Sequence, residues 1–138
     1  MKDQIELNPG EIKLTFNDKH KGKVYLSDLG LSAADLLLES GNMRFVMEIN
    51  NLTEVNFSAV PTIEFQYKEI MEETHWVCDF NGETISDKLD HHGHATVILL
   101  NRNKIESLLQ RHENTLIVHA DFPASASIDP TKSFISIF

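Results

Sequence analysis

The densest chemistry in this chain lies in Asp90-His91-His92-Gly93-His94. His92 and His94 stand two apart, so in an extended chain their imidazoles project to one side. His119, on a neighbouring strand, would then complete a three-nitrogen set for zinc with one position left open. Asp90 or Asp121 would orient a ligand ring through its second nitrogen. The spacing matches no established zinc motif, so a metal-dependent hydrolase built on His92, His94 and His119 stands as the alternative expectation. His75 and His119 are also the candidates for acid–base work near neutral pH. Cys78 shares its parity with Trp76 and Phe80 and reads as a small core residue, not a nucleophile. Ser125 and Ser127 lack the strand–turn–helix setting of a nucleophile elbow, and the chain has no glycine-rich phosphate loop.

Charge is more informative. Between Glu64 and Asp90 lie Glu64, Glu69, Glu72, Glu73, Asp79, Glu83, Asp87 and Asp90, opposed only by Lys68 and Lys88. These eight acids and two bases give the segment six of the chain's nine net negative charges. Such a cluster steers a cationic protein and repels polyanions, which disfavours nucleic acid and anionic membrane as partners. The expected partner-binding residues are Glu69, Glu72, Glu73, Asp79, Glu83, Asp87 and Asp90.

The elements that must carry these groups follow from periodicity. At 138 residues the chain fits one domain over 1–138. Its single cysteine excludes an internal disulfide, and MKDQIELNPG lacks an apolar leader, so a reducing cytoplasm is expected. Residues 11–16 alternate as a strand and are expected to form a hairpin with Lys23–Leu26. Ser32, Asp35 and Gly41 mark a first helix as cap, third helical position and terminator. Met43–Ile49 and Thr53–Phe57 are expected to pair as a hairpin that aligns Phe45 with Phe57.

The strands around Ile63–Tyr67 and Trp76–Phe80 are expected to pair, the second ending at the turn dipeptide Asn81-Gly82. Pairing would gather their flanking acids into one lobe. Residues 83–93 read as an ordered loop. Ala95–Leu100 is apolar on both parities and is expected to be a central strand covered on both faces. A second helix capped by Asn103 follows it, and Asn114 is placed in a left-handed position ahead of the strand at 115–122. The tail Ser133–Phe138 is too apolar for solvent and should add a strand or mediate a homo-oligomer through Phe134 to Phe138, which makes an oligomeric accessory or structural subunit a further alternative.

Together these features predict an α+β fold: a curved, mostly antiparallel sheet of about seven strands with two short helices packed on one face. The functional expectation is a non-catalytic acidic protein, without cofactor, that neutralises a basic partner. Its most concrete form is a bacterial immunity protein that occludes a cationic toxin such as a nuclease.

Overall fold

Alternation of apolar and polar side chains runs through most of the chain, and in three dimensions it produces two sheets that face each other. The computed structural model describes residues 11–16, 21–32, 36–38, 41–50, 57–68, 75–122 and 126–138. In chain order these form β1 (Glu11–Phe16), β2 (Val24–Tyr25), a 3-10 turn (Leu26–Leu29), β3 (Leu37–Leu38), β4 (Gly41–Asn50), β5 (Thr62–Gln66), β6 (His75–Phe80), β7 (Glu83–Thr84), β8 (Ser86–His92), β9 (Ala95–Leu100), α1 (Arg102–Leu108), β10 (Glu113–Phe122), β11 (Ala126–Ser127) and β12 (Phe134–Ser136). The first sheet has the order β1-β4-β10-β6-β7 and the second β2-β12-β5-β9-β8, with β11 and β3 forming a small ribbon. Among the described residues, only β1 and β4 pair in parallel; every other pairing is antiparallel.

The broad α+β expectation holds, but the single curved sheet with two helices becomes two sheets with one helix and a 3-10 turn. No helix among the described residues is long and apolar enough to cross a membrane.

The inner faces carry the core. Phe45, Met47 and Ile49 of β4, Leu116, Val118 and Ala120 of β10, and Trp76, Cys78 and Phe80 of β6 are all buried. They meet Ile63, Phe65 and Tyr67 from the β5 segment, Ile98 and Leu100 of β9, and Ile135 of β12. At the centre, Phe65 stacks on Trp76 with ring centroids 4.2 Å apart, and Phe45 lies 5.4 Å from Phe65. Burying one such ring contributes about 1.5–3 kcal/mol, so these three side chains are a large share of what holds the sheets together.

This arrangement corrects the expected pairing of the Ile63 and Trp76 strands: β5 and β6 lie in opposite sheets and meet through their rings. An apolar parity suits a partner across the core as well as one in the same sheet, so alternation alone does not distinguish the two. The expected hairpin of 11–16 with 23–26 fails likewise, because β1 joins the first sheet and β2 the second.

The expected Phe45–Phe57 pairing is also overturned. Both edges of β4 are taken, Phe45 standing opposite Ile12 on β1 and Val118 on β10. Most of the proposed return strand, 53–57, lies outside the described residues. Where the first helix was expected, Leu37–Leu38 pair as a strand with Ala126–Ser127, and residues 33–35 and 39–40 lie outside the described set. Successive leucines serve a strand as well as a helix, and at Leu37 and Leu38 the long-range pairing decides.

Residues 83–93, expected to be a loop, form β7 and β8. Of the turns that close these hairpins, the sequence reading marks only Asn81-Gly82. Asn81 (φ 49°) and Gly82 (φ 88°) join β6 to β7 in the positive-φ pair that a type I′ turn requires. Gly93 (φ 57°) is the first of two residues joining β8 to β9, where a type II′ turn needs glycine.

Strand β9 lies one place from the edge of its sheet. Thr96, Ile98 and Leu100 are buried, whereas Ala95, Val97 and Leu99 are only half covered, so it is not a strand dry on both faces. Helix α1 then carries the chain to β10 in the other sheet, so the strands at 95–100 and 115–122 are not sheet neighbours. Its cap is Asn101, whose Oδ1 accepts from the Lys104 amide at 3.0 Å, two residues before the expected Asn103. The extended backbone at the end of β9 leaves Asn101 to be the capping residue.

Asn114 has no left-handed backbone; it is a buried knot. It donates to the Ile49 and Gln110 carbonyls at 3.2 and 3.0 Å and accepts from the Gln110 amide and Asn81 Nδ2 at 2.7 and 2.9 Å. Asn81 also donates to the Leu108 carbonyl at 2.8 Å, so this pair ties the β6–β7 turn, the end of α1 and the end of β4.

The apolar tail does add a strand. β12 lies between β2 and β5, with Ile135 opposite both Val24 and Ile63, and Phe138 packs on Phe16 and Phe57. Deleting Phe134–Phe138 should therefore abolish the cooperative thermal transition. In the full chain, Ile135→Ala should cost about 2–5 kcal/mol in urea unfolding. A truncated chain that still melts cooperatively would show that β12 is dispensable to the fold.

Candidate functional site

The chain rounds one side of the sandwich through β6, β7 and β8. β7 is the last strand of the first sheet, β8 the last of the second, and Ile85 alone separates them. Ile85 is buried; its amide donates to the Cys78 carbonyl at 2.9 Å and its carbonyl accepts from the Asn101 amide at 2.7 Å. One residue thus stitches both sheets.

Four expected partner-binding residues lie along this side. Asp79 alternates with buried Cys78 and Phe80 and points to the outer face of the first sheet, where its Oδ1 accepts from Thr84 Oγ1 at 2.9 Å. Glu83 and Asp87 are exposed on β7 and β8, and Asn101 Nδ2 reaches Asp87 at 3.4 Å. Asp90, opposite Val97, faces outward from the second sheet and meets Lys88 at 3.8 Å. The four acids form a ridge around an edge instead of one flat lobe. Glu69, Glu72 and Glu73 lie outside the described residues. On the same face as Asp79, and opposite His119, Val77 is 43% exposed.

The histidines are dispersed. His119 lies on the outer face of the first sheet, lining a hollow of about 270 Å³ with Arg44, Asp79 and Ile117. His94 lies in the β8–β9 turn of the second sheet, where its Nδ1 is 3.2 Å from the Tyr67 carbonyl. The sheets therefore separate His94 from His119, and among the described residues no three His, Cys, Asp or Glu side chains gather as a metal set. His92 stands opposite Ala95 in the hairpin register. His75 and His119 share the outer face of β6 and β10, with His119 directly opposite Val77.

His91 ends a different assembly. Trp76 Nε1 donates to the Tyr67 hydroxyl at 3.0 Å, Tyr67 donates to Thr96 Oγ1 at 3.1 Å, and that hydroxyl lies 3.1 Å from His91 Nδ1. The first three groups are buried, so the chain satisfies polar atoms the core would otherwise leave bare. Cys78 is fully buried, and burial pushes its thiol far above the ordinary range, with Asp79 adding to the effect. As expected, it is a core residue.

A second hollow, of about 470 Å³, is lined by Gln66, Tyr67, Lys68, His94, Asp129 and Lys132. Sequence reading did not find it, because its members come from three separated segments and only Asp129-Pro130 carried a local signal, that of a turn. Thr131 donates to Asp129 Oδ1 through its hydroxyl at 2.6 Å and its amide at 2.9 Å. The hydroxyl contact is the main cause that holds the Asp129 carboxyl below its ordinary range; Lys132 and Lys68 add to it.

No family model, curated protein or solved structure matches the chain.

Two outcomes follow from the buried groups. Cys78 should resist a thiol reagent in the folded protein and label only as fast as the chain unfolds; rapid stoichiometric labelling under native conditions would contradict its burial. Tyr67→Phe removes both bonds of the buried hydroxyl and should cost about 1–3 kcal/mol, with a shift in Trp76 fluorescence as the local readout.

Proposed function

We propose that this chain is a non-catalytic binding protein that neutralises a basic protein partner by covering its working surface. The observation that carries the reading is the acidic ridge of Asp79, Glu83, Asp87 and Asp90, along the side where β6, β7 and β8 pass from one sheet to the other. Acidic groups at a sheet edge discourage pairing between like copies and favour a cationic complement. Exposed Val77 beside Asp79 gives that complement an apolar contact next to the acids. The overall charge of −9 supports the same sign of partner.

The most concrete form of the reading is a bacterial immunity protein acting on a cationic toxin. A toxin that handles nucleic acid needs a basic cleft, and an acidic ridge lodged there competes with the phosphate backbone. Inhibition then needs no chemistry from this chain.

The test is to isolate the chain at low salt from its source, assay the co-isolated basic protein with and without it, and compare a Glu83→Lys/Asp87→Lys variant. Stoichiometric inhibition is expected, with affinity reduced about tenfold or more and a shallower salt dependence in the variant, whose melting temperature should stay near that of the parent. Unchanged affinity after charge reversal would sink the reading.

A further inference from the structure

Among the cavities and side-chain clusters, the hollow at Lys68, His94 and Lys132 is the most completely built. Its three contributing segments are tied to one another through the backbone. The Tyr67 amide donates to the His94 carbonyl at 2.7 Å, the Lys68 amide to the Ser127 carbonyl at 2.9 Å, and the Asp129 amide to the Gln66 carbonyl at 2.8 Å. The Gln66 amide also donates to Ser133 Oγ at 2.8 Å, and Ser133 is fully buried. The bases of the lining side chains are therefore fixed before any ligand arrives, which lowers the ordering cost of binding.

The lining chemistry has a definite sign. Among the described residues, neither Lys68 nor Lys132 lies within 4.0 Å of a carboxylate oxygen, and both act on Asp129 from longer range. His94 Nδ1 faces a carbonyl, which can only accept, so Nδ1 carries a proton and Nε2 is the ring atom left for another partner. Asp129 is the opposing charge, and its Oδ1 is already engaged twice by Thr131. In a chain this acidic, two lysines against one aspartate give the described lining a local reversal of sign. No arginine is present in the lining to offer the planar fork that suits a carboxylate, whereas ammonium groups bind phosphate as point charges.

We propose that this hollow binds the phosphoryl group of a small molecule, held by Lys68 and Lys132 beside His94. The site stands independently of the acidic ridge, and its volume of about 470 Å³ falls within the range of small-molecule sites.

The test is titration of the full chain with inorganic phosphate, pyrophosphate and succinate at constant pH and ionic strength, followed by amide NMR and calorimetry. Saturable shifts confined to residues 66–68, 93–94 and 127–133 are expected for the two phosphates, with succinate weaker. Lys68→Gln/Lys132→Gln, which alters only exposed side chains, should weaken phosphate about tenfold or more with no change in melting temperature. Asp129→Asn retains an oxygen for Thr131 and should tighten it roughly threefold. Lack of saturation by about 10 mM phosphate, equal affinity in the double lysine variant, or succinate binding as tightly as phosphate would each overturn the proposal.

Discussion

The separation of the two sheets depends on the stacked rings of Phe45, Phe65 and Trp76. Two of these rings come from the first sheet and one from the second, so the contact exists only when both sheets are formed. Dispersion and burial act together there, because flat faces exclude water along their full area. The same site raises a polar problem, since the Trp76 indole N–H goes into the core with its ring. The Tyr67 hydroxyl answers it, Thr96 answers Tyr67, and the sequence of bonds reaches an exposed imidazole at His91. The alternation of β5, β6 and β9 thus also positions the surface at the β8–β9 hairpin.

A second constraint is that neither sheet is assembled from neighbours in sequence alone. β4 is paired by β1 and β10, and β12 enters between β2 and β5. Ile85 links the sheets, donating to one and accepting from the end of a strand of the other, while Asn81 and Asn114 bind a turn and a strand end of the first sheet to the end of α1. These links place functional groups as well as stabilise the fold. Ile85 sets where β7 yields to β8, and so where the run of acidic residues passes from one sheet to the other. The Tyr67 segment supports the core through its hydroxyl and His94 through its backbone.

The surface therefore carries two opposite electrostatic features on one frame. The acidic ridge follows the strand edge, where charged side chains suit an unpaired backbone. The hollow at Lys68, His94, Asp129 and Lys132 gathers side chains from a strand end, a hairpin turn and the loop before β12. Each owes its sign to a few residues and its shape to backbone hydrogen bonds made elsewhere.

By itself the sequence determined the local patterns: the alternation of β5, β6 and β10, the turn at Asn81-Gly82, the core role of Cys78, the need of the apolar tail for a partner, and the sign of the net charge. Each is a property of neighbouring residues, which periodicity and turn chemistry report directly. The tertiary structure decided which strands pair and which merely face each other. An apolar face is satisfied equally by a sheet neighbour's side chains or by a ring across the core, so Ile63 and Trp76 fit either arrangement until the whole chain is packed. It also decided that Leu37–Leu38 extend and that Asn114 serves a knot, because in each case a distant partner outweighed a local signal, and that Asn101 caps α1, because β9 ends there. The acidic residues were visible as a cluster in sequence, but their course around an edge depended on the passage of β7 into β8. The cationic hollow was not legible at all, since nothing along the chain relates Lys68, His94 and Lys132 until long-range backbone bonds bring them together.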